Sequence, residues 1–512
     1  MSFRGLKIFE NPLDNRFLLW VLVIGLLAIG IGIRLFDITD PTFQTRQLHG
    51  AVLARGMYYK MNPYADPQLR ELAISFWKST TQYEPPILER LAAYTYLIIG
   101  REEEWIGRLY SSIFWVAGGI GLFTLAQRMF AEIANSRALK IACLVGLGYY
   151  LISPFSVESS RDFQSDPGMV FWSILYLWAL FVWVDRKSWK MTLLCGFLSG
   201  IAILVKITAV FILLPTFAAV LLYGSGWKRL WKFPQVWTIL ILMGAPTIIY
   251  MLSSRVQGNA LTYFQNTTLA LSGLLTKPSF YISWINFLQS LISLPMLLLG
   301  WIGLTLSPPR SRTVLISIWL GYVLYGAAFP HQIYTHDYYH LRMVPIVALC
   351  IVPAVSILLQ DIDFNNQVNR IILSLLAIIA IGFPVWVSYS NFTKVDNRPQ
   401  AIRWQEISAR IPTDGKIVAM TQEYGFPLMF YGWRKVQLWP SLSEQELKAL
   451  RGNPKKFEHL LEEYLQGNDY FLVTDMKQFQ VQTDLRERLF GTYPLIIDEV
   501  DFLLFDLKPS SD

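Results

Sequence analysis

The sequence predicts a mainly α-helical, polytopic membrane protein with a small soluble α/β domain at its C-terminal end. Three observations predict it. Hydrophobic residues make up 53% of the 512-residue chain and charged residues 16%. Ordinary globular chains are about 25% charged, so this chain has too few polar groups to cover a soluble surface. Apolar runs recur at lengths close to those that cross a bilayer. From about residue 395 the charge density rises and the apolar runs shorten. The composition excludes a disordered chain and argues against a cytosolic enzyme.

The apolar runs lie at 17–36, 86–100, 107–128, 140–154, 168–185, 190–205, 208–223, 234–252, 282–305, 313–329, 340–359 and 370–388. No secretory cleavage pattern follows the first, so it reads as a retained helix. The net charge of +7 reads as basic loops facing the cytoplasm. No clustered basic stripe points to nucleic acid as a partner; the lipid bilayer is the expected one. Cys143, Cys195 and Cys350 sit inside apolar runs and read as small hydrophobes, not as a disulfide framework or a metal site.

Charge orders the sides. The connections 128–140, 185–190, 228–232 and 310–312 are basic; 153–167, 206–208, 253–280 and 330–339 between them are less so. Arg4, Lys7 and Arg16 place the N-terminus inside, and the loop 37–84 outside. Only an odd number of crossings then fits between loops 37–84 and 128–140, yet two apolar runs lie there. The run 86–100 follows Pro85-Pro86 and carries Glu89 and Arg90, so it reads as an amphipathic interfacial helix. That leaves about eleven spans, at most thirteen. Residues 1–392 form the membrane domain and 393–512 an extracytoplasmic domain in a cell membrane. In that tail, 401–411 and 457–465 have helical periodicity. Residues 416–420, 470–474 and 500–507 read as strands. No phosphate loop appears anywhere, which argues against nucleotide hydrolysis.

Ionisable residues concentrate on the deduced outer side. The first outer loop carries Asp37, Asp40, Arg46, His49, Arg55 and Glu84. The second carries Glu158, Arg161, Asp162 and Asp166. Lys206 stands at a tight outer turn, and His331, His336, Asp337 and His340 lie among Tyr334, Tyr338 and Tyr339. Each has a plain structural use. Carboxylates suit a helix N-terminus, a lysine can snorkel, Glu84 can simply close a loop and His336 can be a surface histidine. Together they suggest one outward cavity. There, carboxylates would act as a general base or hold a divalent cation, and Lys206, Arg46 and the histidines would hold a phosphate.

The order of short motifs resembles the GT-C membrane glycosyltransferases, nearest to the lipid A aminoarabinose transferase and protein O-mannosyltransferase branches. Residues 46–57 (RQLHGAVLARGM) are similar to the family segment D-E-A-R-Y-A-x-I-A-R-x-M. Glu84-Pro85-Pro86-Ile87 resembles its E/H-x-P-P-L step, and Arg108-Leu109-Tyr110-Ser111 its R-L-P-S. Asp166-Pro167 resembles its second acidic motif, 200–206 (GIAILVK) its G-x-A-x-L-x-K turn, and the stretch from Tyr339 to Pro345 its Y-x-L-P-x-x-P. The resemblance implies interfacial helices near 43–58 and 86–100. It also implies sugar transfer, with inversion, from a polyprenyl-phosphate donor to an extracytoplasmic lipid, glycan or protein.

One departure matters. The family's acidic pair falls on Arg46-Gln47 here, so that position supplies no base. Asp166 or Glu84 is expected as base, with Asp40, Asp37 and Asp162 as alternatives. Lys206 and Arg46, with His336 and Tyr339, are expected on the donor phosphate. No cofactor is firmly implied; a divalent cation on Glu84 and Asp166 is a second use for that pair. An inactive scaffold relative and a lipid-linked-sugar transporter are the rival readings. The spans carry almost no mid-membrane charge and no internal repeat, which argues against transport.

Overall fold

The structure, a computed structural model, describes residues 16–508 except 83, 134, 226–231, 253–261, 263 and 414. Arg4, Lys7, most of the basic connection 228–232 and the first part of the connection 253–280 lie outside the described residues.

The membrane part opens with α1 (Arg16–Leu35), then α2 (Thr45–Met61), α3 (Pro67–Ser79) and α4 (Ile87–Ile99). Next come α5 (Trp105–Met129), α6 (Ser136–Ile152), α7 (Pro154–Arg161), α8 (Asp166–Arg186), α9 (Trp189–Val205) and α10 (Val210–Ser225). Helices Pro234–Met251, Pro278–Ile292, Leu294–Leu306, Pro309–Ala328, Met343–Leu359 and Gln367–Phe392 complete it. It is a multi-pass membrane protein. Helical segments fall on all eleven runs read as spans, but fewer are unbroken than expected. Among the described residues, 6 helices are long and apolar enough to cross alone, and up to 8 with bent pairs. Local chemistry explains the breaks. Pro154 follows Ser153, where the chain bends by 51°, and Ser293, at φ 69°, precedes Pro295 where it bends by 93°.

The run 86–100 becomes a helix of 13 residues closed by Gly100 in the left-handed region (φ 85°). At 1.5 Å per residue it reaches about 20 Å, short of the ~30 Å hydrocarbon core. The long loop 37–84 holds two helices of its own. Asp66 caps α3 through Leu69 N–H, with Pro67 in the first turn. α2 is enclosed by neighbours: Leu48, Val52, Met57 and Tyr58 pack with Phe76, Leu88, Tyr96, Phe163 and Phe430. Small residues let the membrane helices approach closely. A Cβ at Gly200 on α9 would stand 2.4 Å from the Leu242 carbonyl oxygen, so glycine is required just before the Lys206 turn.

The tail begins with helix Arg398–Arg410 and builds one five-stranded sheet in the order β2-β1-β3-β5-β4. β1 (Ile417–Met420) runs parallel to β2 (Gln437–Leu438) and β3 (Tyr470–Val473). β5 (Leu503–Asp506) is antiparallel to β3 and to β4 (Leu495–Asp498). β1 and β3 are buried along their whole length, which is why they read as continuous apolar runs. Alternate residues serve two cores. Val418, Met420, Phe471 and Phe505 pack with Leu460, Phe479 and Leu489 on one face. Ile417, Ala419, Leu472 and Leu504 pack with Trp404 and Ile407 on the other.

Candidate active site

Asp166 opens α8, with Pro167 in the first turn, and Lys206 fills the break between α9 and the short 3-10 turn Ile207–Ala209. Lys206 is held in an extended conformation (φ −153°, ψ 114°), which turns its side chain out of the helical line. Its Nζ lies 2.6 Å from Asp166 Oδ2, with the side chains 3% and 1% exposed. Asp166 Oδ1 is buried with no hydrogen-bond partner among the described residues. Glu84 comes in from the first outer loop. Its Oε1 stands 3.9 Å from Lys206 Nζ, its Oε2 3.7 Å from Arg46, and Ser165 Oγ donates to Oε2 at 2.9 Å.

The loop 330–339 closes this cluster. Lys206 Nζ sits 5.2 Å from the centre of the Tyr338 ring and 5.8 Å from that of Tyr339. Arg46 lies 5.5 Å from the Tyr338 ring, so two cations flank one aromatic face. The His336 ring contacts both tyrosines, at 5.6 and 5.8 Å. Burial, then the neighbouring His331, Arg46 and Lys206, push the His336 pKa down to about 4, so its imidazole is neutral at pH 7. A buried network holds the loop: Trp284 Nε1 donates to Tyr322 OH at 2.9 Å. That hydroxyl lies 2.7 Å from His340 Nδ1, and His340 Nε2 bonds the Ile333 carbonyl at 2.6 Å.

Asp40 and Asp162 stand apart from this cluster, on a second cavity of 490 Å³. Gln47 Nε2 donates to Asp162 Oδ1 at 2.7 Å, and Phe163 N–H donates to Gln47 Oε1 at 3.3 Å. Burial, with the Asp337 and Glu158 carboxylates, holds the Asp162 pKa well above the usual carboxylate range. Both Asp40 oxygens are taken, by Asn397 N–H at 2.9 Å and Asn397 Nδ2 at 2.8 Å. Asp37 pairs with Arg398. The first turn of α2 joins the two regions: Arg46 faces Glu84, and its neighbour Gln47 faces Asp162. Residues 163–165 line a smaller cavity of 30 Å³ with Arg46, His49, Glu84 and Glu89. Thus the structure brings Asp166, Glu84, Lys206, Arg46, His336 and Tyr339 together, and places Asp40 and Asp162 on the second cavity.

Among the described residues, no three His, Cys, Asp or Glu side chains group as a metal site. Glu84 and Asp166 meet across the Lys206 ammonium, at 3.9 and 2.6 Å from its Nζ.

Several residues of the region were not singled out from sequence. Arg34 is fully buried in α1. It donates to Ser160 Oγ at 2.7 Å, to the Gly30 and Leu151 carbonyls at 2.8 and 2.7 Å, and to Ser156. It lies at the end of an apolar run, a position that a flanking charge also takes. Arg342 donates to Thr208 O and Oγ1 at 3.0 and 2.8 Å, bracing the turn after Lys206. The tail also reaches the site. Glu423 accepts from Thr45 N–H at 3.0 Å at the start of α2. Arg55 lies between the Phe430 and Trp433 rings, 3.9 and 4.2 Å from their centres.

Fold and site define a polytopic membrane protein with the GT-C glycosyltransferase fold, which carries a buried acid–lysine pair under the loops 37–84 and 330–339. Residues 83–253 match the family described as dolichyl-phosphate-mannose-protein mannosyltransferase. Among solved structures, ArnT from Cupriavidus metallidurans bound to undecaprenyl phosphate is similar at TM-score 0.56 and 12% identity, covering 96% of this chain and 98% of that one. The archaeal oligosaccharyltransferase AglB from Archaeoglobus fulgidus, in complex with an inhibitory peptide and a dolichol-phosphate, is similar at TM-score 0.57 and 11% identity. It covers 98% of this chain and 75% of that one. No curated protein matches the sequence. The resemblance to GT-C glycosyltransferases read from the sequence therefore holds over almost the whole fold.

Proposed function

We propose that the protein is a membrane glycosyltransferase. It moves a sugar, with inversion, from a polyprenyl-phosphate donor to an acceptor on the extracytoplasmic side of a cell membrane, where the domain 393–512 also lies. The observation that carries this is a two-cation cluster and a carboxylate-lined cavity on either side of residues 162–165. The donor phosphate is held by Lys206 and Arg46, with His336 and Tyr339 orienting it as a neutral imidazole and a phenol. The acceptor hydroxyl attacks the anomeric carbon, the bond from that carbon to the phosphate oxygen breaks, and polyprenyl phosphate leaves. Lys206 and Arg46 stabilise the charge that develops on the leaving oxygen.

The base takes the acceptor's proton. Asp166 holds Lys206 through one oxygen, Asp40 bonds Asn397 through both and Asp37 pairs with Arg398, so the choice falls on Asp162 or Glu84. We assign the role to Asp162, because it faces the roomier cavity. Glu84 positions Arg46 and Lys206. The charge that a divalent cation would supply on Glu84 and Asp166 is assigned to Lys206.

The test is purified protein in lipid with a labelled polyprenyl-phosphate hexose and a crude envelope extract as acceptor. Release of polyprenyl phosphate that needs the extract, with the product's anomer opposite to the donor's, supports the reading. Full activity in both Asp162→Asn and Glu84→Gln removes the assignment of the base.

A further inference from the structure

Resting on that reading, we infer that the 490 Å³ cavity is the acceptor site and that its acceptor is a neutral saccharide. Its volume lies within the roughly 300–1,000 Å³ of small-molecule sites. Six side-chain amides line it: Gln44, Gln47, Asn391, Asn397, Gln400 and Gln422. Gln47, Asn397 and Gln422 already donate within the chain, to Asp162, Asp40 and the Thr474 carbonyl, so among the described residues Gln44, Asn391 and Gln400 have both amide hydrogens open, as a wall for sugar hydroxyls requires, since each hydroxyl both donates and accepts.

Charge argues in the same direction. Five carboxylates, Asp37, Asp40, Glu158, Asp162 and Glu423, share the wall with two arginines, Arg108 and Arg161. Arg108 donates to the Ile38 and Asp40 carbonyls at 2.9 and 2.6 Å, and Arg161 to the Asp37 carbonyl at 3.1 Å. Both guanidiniums therefore brace the first outer loop. A phosphorylated acceptor would meet an excess of negative charge. A peptide is typically read by a strand edge or an apolar groove, and none of the lining residues lies on a strand. The last span and the tail supply Asn391, Asn397, Gln400, Trp404 and Gln422, so the soluble domain is part of the acceptor wall.

The experiment has two readouts on the full chain in lipid. Calorimetry measures binding of neutral trisaccharides of glucose, mannose, galactose and N-acetylglucosamine, without donor. Transfer from a labelled polyprenyl-phosphate hexose is then measured to each trisaccharide, to a phosphorylated lipid and to a peptide. The expected result is that one trisaccharide binds and takes label. Gln400→Ala and Asn391→Ala should each weaken binding and raise its KM by about tenfold, with kcat within about twofold. Label passing only to the phosphorylated lipid or the peptide overturns the saccharide and leaves the transferase standing. Trisaccharide binding that both variants leave intact overturns the cavity. Binding that the variants weaken, with no donor turned over, keeps the saccharide site and overturns the transferase. Neither binding nor turnover overturns both.

Discussion

Lys206 Nζ lies 2.6 Å from Asp166 Oδ2, with both side chains almost wholly out of contact with solvent. A lone charge in such a place is costly, so each group needs the other before it can serve a substrate. Lys206→Met should strand the Asp166 carboxylate, cost about 3–5 kcal/mol of stability and lower kcat by at least a hundredfold. Lys206→Met/Asp166→Leu should regain most of the stability and none of the rate. Thermal unfolding in detergent and donor turnover separate the two. A double variant that regains both stability and rate would make the pair purely structural.

Asp162 should set the acid limb of the rate. As a base it must be deprotonated, so kcat should rise with pH through its raised pKa, and then level off. Asp162→Asn should lose on the order of a hundredfold or more in rate. Glu158→Gln removes one of the carboxylates that raise that pKa, and should move the limb to lower pH. A limb that stays put in Glu158→Gln would assign it to another group.

Much of this was legible in sequence because it is chemically plain. Lys206, Asp166 and Glu84 are ionisable residues beside apolar runs, and β1 and β3 are short apolar stretches in a charged tail. The missed features depend on contacts distant in sequence. β4 is an edge strand of alternating burial, without the run of apolar residues that marks β1 and β3. Bends at Ser153 and Ser293 broke runs that hydropathy alone reads as continuous. Replacement of the family's acidic pair by Arg46-Gln47 was visible, but its geometric sense was not. Only the fold shows that Gln47 reaches Asp162 and Arg46 reaches Glu84.

Arg34 should act as a structural pin. It ties α1 to the end of α6 and to α7, the helix that leads into Asp162. Arg34→Met would leave the Leu151 carbonyl and the Ser156 and Ser160 hydroxyls short of a donor. The expected cost is about 2 kcal/mol or more, read as a lower unfolding temperature in detergent. Arg34→Lys should recover only part of it, because one ammonium cannot match the guanidinium fork.

Acid should destabilise the outer loops through two histidines. Burial, reinforced by the Arg46 cation, pushes the His49 pKa down to about 4, as His336 is pushed. The unfolded values lie near 6.5. Between pH 6.5 and 4 the unfolded chain binds protons that the folded chain refuses, so stability falls as pH falls through that window and is constant above it. A His49→Gln/His336→Gln variant should lose less unfolding temperature between pH 7 and 4.5 than wild type. Equal losses would place the acid sensitivity elsewhere.

The tail should hold the donor side as well as the acceptor wall. The Glu423 carboxylate caps the N-terminus of α2 through Thr45, one residue before Arg46. Its own backbone is strained for this, with Glu423 at φ 49° and Tyr424 at φ 54°, a region that non-glycine residues avoid. Glu423→Ala removes the cap and should cost about 1 kcal/mol of stability. Because α2 carries Arg46, the donor KM should rise, and because Glu423 also lines the acceptor cavity, saccharide binding should change with it. Glu423→Gln retains an acceptor oxygen and should lie between. A rise in acceptor KM alone would instead confine the tail's role to the cavity wall.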